Sequence, residues 1–214
     1  MDVTPVSDPL SPAAGDSDPD RLRLLLEAAN ALLEEGGLEG VTVRAVLNRT
    51  GLARRAFYER FVGKDDLVLA VFEQTLREAA DHFRTLAQGV PSPLDRIQVI
   101  VLGLVAGGME NALFGEKRVS AMVREHLRLA ETRPGKLQGA LQPLLDLIAE
   151  EVAEGISAGQ LRDCDPVLQA TLIYNLVATT LHTEQLRKEA GSAIEWSASL
   201  PDEIWEFCRR AIVV

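Results

Sequence analysis

The chain is expected to be all-α, with a group of short helices near its N-terminus and a larger helical bundle after them. Three observations lead there. Apolar residues recur at three- and four-residue spacing along most of the sequence, no segment alternates at the two-residue period of a strand, and Asp-Pro, Ser-Pro and Gly-Gly pairs punctuate the periodic runs as helix starts and stops.

Residues 1–19 contain Pro5, Pro9, Pro12 and Pro19 among Ser, Asp and Ala, which reads as a disordered acidic tail. Asp18-Pro19 suits a helix start, because Asp can cap free amides and Pro fits the first helical position. Leu22, Leu25, Leu26, Ala29, Leu32 and Leu33 then share a face until Gly36-Gly37. Thr42 can cap a short helix from Val43 to about Arg49. Gly51 turns the chain into a second, from about Arg54 to Arg60, and a long helix follows from Lys64 to about Ala87. Further helices are expected over Pro93 to Met109, Lys117 to Glu131, Pro134 to Ala158, Pro166 to Lys188 and Pro201 to Val213. The division expected is a tail over 1–19, a first domain over 20–63 and a second over 64–214.

Composition excludes several classes. Two cysteines, Cys164 and Cys208, are too few for a disulfide scaffold and fit a reducing cytoplasm. Residues 1–19 carry no Lys or Arg, so a basic secretory leader is not expected. The longest apolar stretch, Ile97 to Met109, is broken by Gln98 and three glycines and is too short to span a bilayer, so no membrane partner is expected. Three scattered histidines give no metal spacing, and no cofactor is implied. An enzyme is not expected either. There is no nucleophile-elbow Ser, no phosphate-binding Gly loop and no His-Glu zinc motif.

A net charge of −10 conceals an uneven distribution. Between Thr42 and Lys64 stand Arg44, Arg49, Arg54, Arg55, Arg60 and Lys64 against Glu59 alone, a local charge of +5. Such an island is either a solvated helical surface or a docking field for a polyanion. Its arithmetic favours docking: a short helix, a glycine turn and a second short helix let the second helix project into a major groove. Val43, Val46, Leu47, Leu52, Phe57 and Phe61 supply an inner face, which leaves Arg54, Arg55 and Tyr58 outward. Arginine can fork onto guanine O6 and N7, while Tyr58 and Lys64 have the reach for phosphate oxygens.

At these residues the sequence resembles the TetR family of transcriptional regulators. The resemblance runs from the first apolar stripe through Thr42-Val43-Arg44 and Thr50-Gly51-Leu52 to Phe57-Tyr58, Phe61, Lys64 and Leu67. A second echo lies at Gly155-Ile156, Gly159, Leu161-Arg162 and Asp165-Pro166. It implies a helix-turn-helix domain joined to a helical ligand-binding and dimerisation bundle. The implied partners are double-stranded operator DNA, a small-molecule effector and a second copy of the chain. Thr42, Arg44, Arg54, Arg55, Tyr58 and Lys64 are implied to contact DNA. Three residues depart from the family's pattern: Ala53 where Ser or Thr usually caps the recognition helix, Leu47 where Ala usually lies at the helix crossing, and Glu59, a carboxylate on the reading helix.

In the second domain, the helix from Val167 to His182 is apolar around its circumference, which suits either a central buried helix or a dimer interface shared with the last helix. Met109, Phe114, Met122, His126, Tyr174 and Asn175 are soft or polar groups in apolar surroundings. They are the candidates to line an effector pocket, the competing reading being ordinary core packing. The expected function is a ligand-responsive regulator, most simply a repressor. The alternative is a helical dimer that binds a small molecule or a protein without binding an operator.

Overall fold

The computed structural model describes residues 18–109, 116–191 and 199–214, and within these the chain forms helices joined by short turns. They are α1 (Asp18–Gly40), α2 (Val43–Thr50), α3 (Arg54–Tyr58), α4 (Lys64–Ala87), α5 (Pro93–Met109), α6 (Glu116–Thr132), α7 (Pro134–Ser157), α8 (Pro166–Glu189) and α9 (Leu200–Ile212). Among the described residues the extended pairing is a single isolated bridge, Leu161 with Val213, and no helix is long and apolar enough to cross a membrane.

Two cores organise these helices. The first gathers Leu25, Ala28, Ala29 and Leu33 of α1, Val46 of α2, Phe57 of α3 and Phe61 around Leu67, Val68 and Val71 of α4. Gly37 at φ 62° interrupts α1 in the left-handed region, where glycine carries no Cβ penalty. Val41 can then turn into the same core. The amide of Ala45 donates to Thr42 Oγ1 at 3.1 Å, capping α2, and Gly51 at φ 70° closes it through a 2.9 Å bond to the Leu47 carbonyl. Leu47 itself packs half-buried against this core. Ala53 precedes α3 and offers no side-chain cap, which forgoes about 1 kcal/mol.

The second core is larger. Ile97, Ile100, Val101 and Val105 of α5 meet Leu144, Leu147, Ile148 and Val152 of α7, with Ala170, Ile173 and Val177 of α8 and Ile204, Trp205 and Cys208 of α9. Arg96 fastens the start of α5 to α7 through Glu151 at 2.6 Å and Glu154 at 2.5 Å. Helix α4 serves both cores, because Leu69, Phe72, Ala79, Ala80 and Phe83 face this one while Leu67, Val68 and Val71 face the other. The sequence boundary at Lys64 therefore falls at the start of a shared element. Helix α6 is shared too, with Ala121 in the first core and Leu129 in the second.

The motif at Gly155 has a packing role. A Cβ at Gly155 would collide with the Leu161 side chain, so its absence lets the chain fold back after α7. Leu161 then bridges Val213, and the Arg162 amide donates to the Ile212 carbonyl at 2.9 Å.

Candidate nucleic-acid interface and ligand cavity

The basic segment forms a projecting face on the first core. Arg44, Arg54, Arg55 and Tyr58 are exposed, as is Thr42, whose hydroxyl oxygen accepts from Ala45. Buried Phe57 anchors α3 from below, edge-on to Tyr58 at 5.3 Å between ring centres and tilted against Phe61 at 5.5 Å. With Phe57 inward, the helical period sends Arg54, Arg55 and Tyr58 away from the core. The Arg54 guanidinium lies 5.4 Å from the centre of the Tyr58 ring, a cation–π contact that holds both side chains along the outer face.

Several of these charges already have partners. Arg55 Nε donates to Glu59 Oε1 at 2.8 Å, so the carboxylate on the reading helix holds one of its two opening arginines. Arg49 is paired with Glu35 at 2.6 Å, and Arg60 with Asp18. Lys64 departs from the sequence expectation of a side chain extended toward phosphate. Its ammonium donates to the Leu38 carbonyl at 2.6 Å, because the turn after Gly37 leaves that carbonyl within reach of the α4 start. The free amides of α4 also face competition from within, since Asp65 and Asp66 occupy its first turn and Asp66 accepts from the Val62 amide. Arg133 beside Asp66 holds that carboxyl below its usual range. Arg44 and Arg54 remain the basic groups on this face with no carboxylate partner among the described residues.

A cavity of about 250 Å³ lies in the second core. Helix α4 contributes Phe72, Thr75, Leu76, Ala79 and Phe83, α5 contributes Gly103 and Leu104, and α7 contributes Leu144. Met122, Val123, His126 and Leu127 come from α6, and Tyr174, Val177, Ala178, Thr179, Leu181 and His182 from α8. Gly103 makes room for Phe83, whose ring occupies the space where a Cβ would stand. The polar groups gather at the α6–α8 side. Tyr174 Oη and His126 Nδ1 lie 3.1 Å apart, and His182 Nδ1 is buried with no hydrogen-bond partner. Burial and the nearby His182 push the His126 imidazole below its ordinary value, and burial raises the Tyr174 phenol above its own. Both are therefore neutral near pH 7.

Of the sequence candidates for this pocket, Met122, His126 and Tyr174 line the cavity. Asn175 does not. It is exposed on the opposite face of α8, because one residue of helical rotation carries it about 100° from Tyr174. Phe114 lies outside the described residues, and so does the side chain of Met109, at the end of α5. Sequence reasoning missed His182 and Thr75. His182 was legible in principle, since Tyr174, Ala178, Leu181 and His182 follow helical spacing along one face.

Thr75 connects the cavity to the first core. Its hydroxyl donates to the Val71 carbonyl at 2.9 Å and accepts from buried Arg118 at 2.8 Å. The Arg118 guanidinium in turn lies 3.6 Å from Glu34 of α1 and 3.8 Å from Glu78 of α4. One cation thus touches a cavity-lining residue and the first helix of the reading domain.

A three-helix unit with an exposed basic second short helix, carried on a helical bundle that encloses an apolar cavity, defines a helix-turn-helix transcriptional regulator with a separate ligand-domain architecture. Residues 25–71 match the family of bacterial regulatory proteins, tetR family, and by this module the chain belongs to the TetR family. Among curated proteins it is similar to the HTH-type transcriptional regulator BetI 1 of Chromohalobacter salexigens, 33% identical over 86 residues, covering 40% of this chain and 43% of that protein. It is also similar to the HTH-type transcriptional repressor AcnR of Corynebacterium glutamicum, 35% identical over 72 residues, covering 34% of this chain and 38% of that one. The chain thus spans less than half the length of these two relatives. The fold extends further than the sequence likeness. A crystal structure of RolR with resorcinol superposes with a TM-score of 0.71 at 13% identity, covering 91% of this chain and 88% of that one. FadR from Bacillus subtilis, in complex with stearoyl-CoA, superposes with a TM-score of 0.66 at 16% identity, covering 87% and 96%.

Proposed function

We propose that the chain is a cytoplasmic, ligand-responsive repressor that binds operator DNA as a homodimer and is released by a small, mostly apolar effector. The reading rests above all on α4, which carries the reading domain at its start and walls the cavity with Phe72, Thr75 and Phe83. An effector that fills the cavity moves α4 and, through Thr75 and Arg118, bears on α1. Only a difference in affinity between two states drives such a change, and a tenfold loss of operator affinity takes about 1.4 kcal/mol of coupling.

In this reading Arg54 and Arg55 read base edges, while Thr42, Arg44 and Tyr58 position the domain on the backbone. Lys64 stiffens the junction through Leu38 and adds charge near the phosphates. The dimer forms through α8 and α9, where Val167, Leu168, Leu172, Leu186 and Phe207 are exposed apolar side chains. Two-fold symmetry then sets two readers on half-sites about 34 Å apart.

Selection of bound fragments from randomised DNA, followed by a shift assay on the region upstream of the chain's own gene at several salt concentrations, tests the proposal. A specific, salt-dependent shift is expected. The competing reading, a dimeric binding module without an operator, is favoured by the prior engagement of Arg55 and Lys64. Absence of a shift on every genomic fragment selects it.

A further inference from the structure

The polar side of the cavity narrows the chemistry of what fits inside, given the reading of the cavity as the effector site. A cavity of about 150 Å³ accommodates benzene. The 250 Å³ here scales to a ligand of roughly ten non-hydrogen atoms. No Lys, Arg, Asp or Glu side chain lines it, so an ion inside would meet no opposite charge and would lose its hydration. Thr75 is unavailable, because its hydroxyl already donates to Val71 and accepts from Arg118. Tyr174 and His126 engage each other.

That leaves His182. A neutral imidazole presents one N–H and one bare nitrogen. Nδ1 of His182 is enclosed and has no partner, whereas Nε2 is not so enclosed and holds the proton at lower cost. A buried acceptor left bare is destabilising, and a donor supplied by a ligand removes that penalty. A second imidazole nearby opposes a positive charge on either ring, which keeps the pair suited to a neutral guest.

We propose that the effector is a compact, neutral, largely apolar molecule carrying one hydroxyl, which donates to His182 Nδ1 beside the His126–Tyr174 pair. The flat apolar walls formed by Phe72, Phe83 and Leu144 suit a single substituted ring. A carboxylate is the wrong class, since it offers no proton and brings a charge that nothing in the lining offsets.

Calorimetric titration of the full chain with 4-ethylphenol, 4-ethylanisole and 4-ethylbenzoate tests this. The anisole keeps the oxygen but lacks the donated proton, and the benzoate carries the charge. The phenol should bind about tenfold or more tightly than either, because a site built to pair a hydroxyl rejects its methylated form. In His182→Phe the phenol and the anisole should bind within about threefold of each other. Equal or tighter binding of the anisole to the unaltered chain, tightest binding of the benzoate, or binding of none of the three overturns the proposal. Operator release is scored separately. Phenol preference without release leaves the ligand class standing and removes the repressor reading. Release by the benzoate does the reverse.

Discussion

The reading domain and the cavity domain put their chemistry on opposite sides of their cores. In the first, Phe57, Val46 and Leu33 are buried only to hold a surface, and the candidate groups, Arg44, Arg54, Arg55 and Tyr58, all point to solvent. In the second, the candidate groups, His126, Tyr174 and His182, point inward, and the outer face of α8 and α9 is apolar. A surface reader tolerates change in its contacts without losing its fold, because exposed side chains carry little stability. An internal receptor does not separate the two, since every lining residue is also a core residue.

The largest expected effect comes from the reader's core. Phe57→Ala should cost about 3–5 kcal/mol. Hydrogen exchange should show α2 and α3 opening while α5 and α7 keep their protection. Uniform loss of protection throughout would show that the two cores unfold as one. Arg54→Ala and Arg55→Ala come next, each weakening the best operator by about 1–3 kcal/mol and relaxing one base position. Equal weakening on random DNA would make both arginines phosphate contacts. Gly103→Ala probes the other region. It should drive the Phe83 ring toward the cavity, destabilise the fold by about 1–3 kcal/mol and abolish binding of 4-ethylphenol with operator affinity retained.

A smaller effect is expected from pH. Burial lowers the His126 pKa in the fold, so below the unfolded value of about 6.5 the unfolded chain binds the extra proton first. The stability this group contributes is present above that value and is lost as pH falls through the lowered folded one. Acid denaturation between pH 7 and 5 should be shallower in His126→Gln, measured by urea midpoints. An unchanged slope would place the acid sensitivity elsewhere. The smallest change is Glu59→Gln, which removes an exposed pair of about 0.3–0.5 kcal/mol and leaves stability nearly unaltered. Binding to random DNA should rise about twofold to threefold at low salt. No rise would show that Glu59 does not restrain Arg55.

The same contrast explains what could be read in advance. The reader is local: Thr42, Gly51, Phe57 and Phe61 fall within twenty residues, and each has a fixed job as cap, turn or anchor. Helix starts at Pro93, Pro134 and Pro166 were legible for the same reason. The cavity is assembled from five helices, so periodicity could name inward residues but not which inward residues face a void. Tyr174 and Asn175 are adjacent polar residues on an apolar helix, and the register that separates them is set by packing on α7. Partnerships were equally hidden. Neither the Lys64 bond to Leu38 nor the Arg118 contact with Glu34 follows from spacing, because each joins distant segments.

The stitching of Leu161 and Arg162 to Val213 and Ile212 has a consequence for the order in which the molecule is made. The first core draws almost entirely on residues 25–71, with Ala121 added later, so its partners leave the ribosome close together. The second core needs Ile204, Trp205, Cys208 and Ile212 against α5, about a hundred residues earlier in synthesis. Until α9 has emerged, α5 and α7 have apolar surface with nothing to cover it, and the bridge that fixes the turn after α7 has no second strand. Domains fold N-terminal first as the chain is made. A nascent chain therefore carries a formed DNA reader well before it has a closed receptor, and a truncation in α9 would leave the reader intact on a protein that can neither enclose a ligand nor pair with its copy.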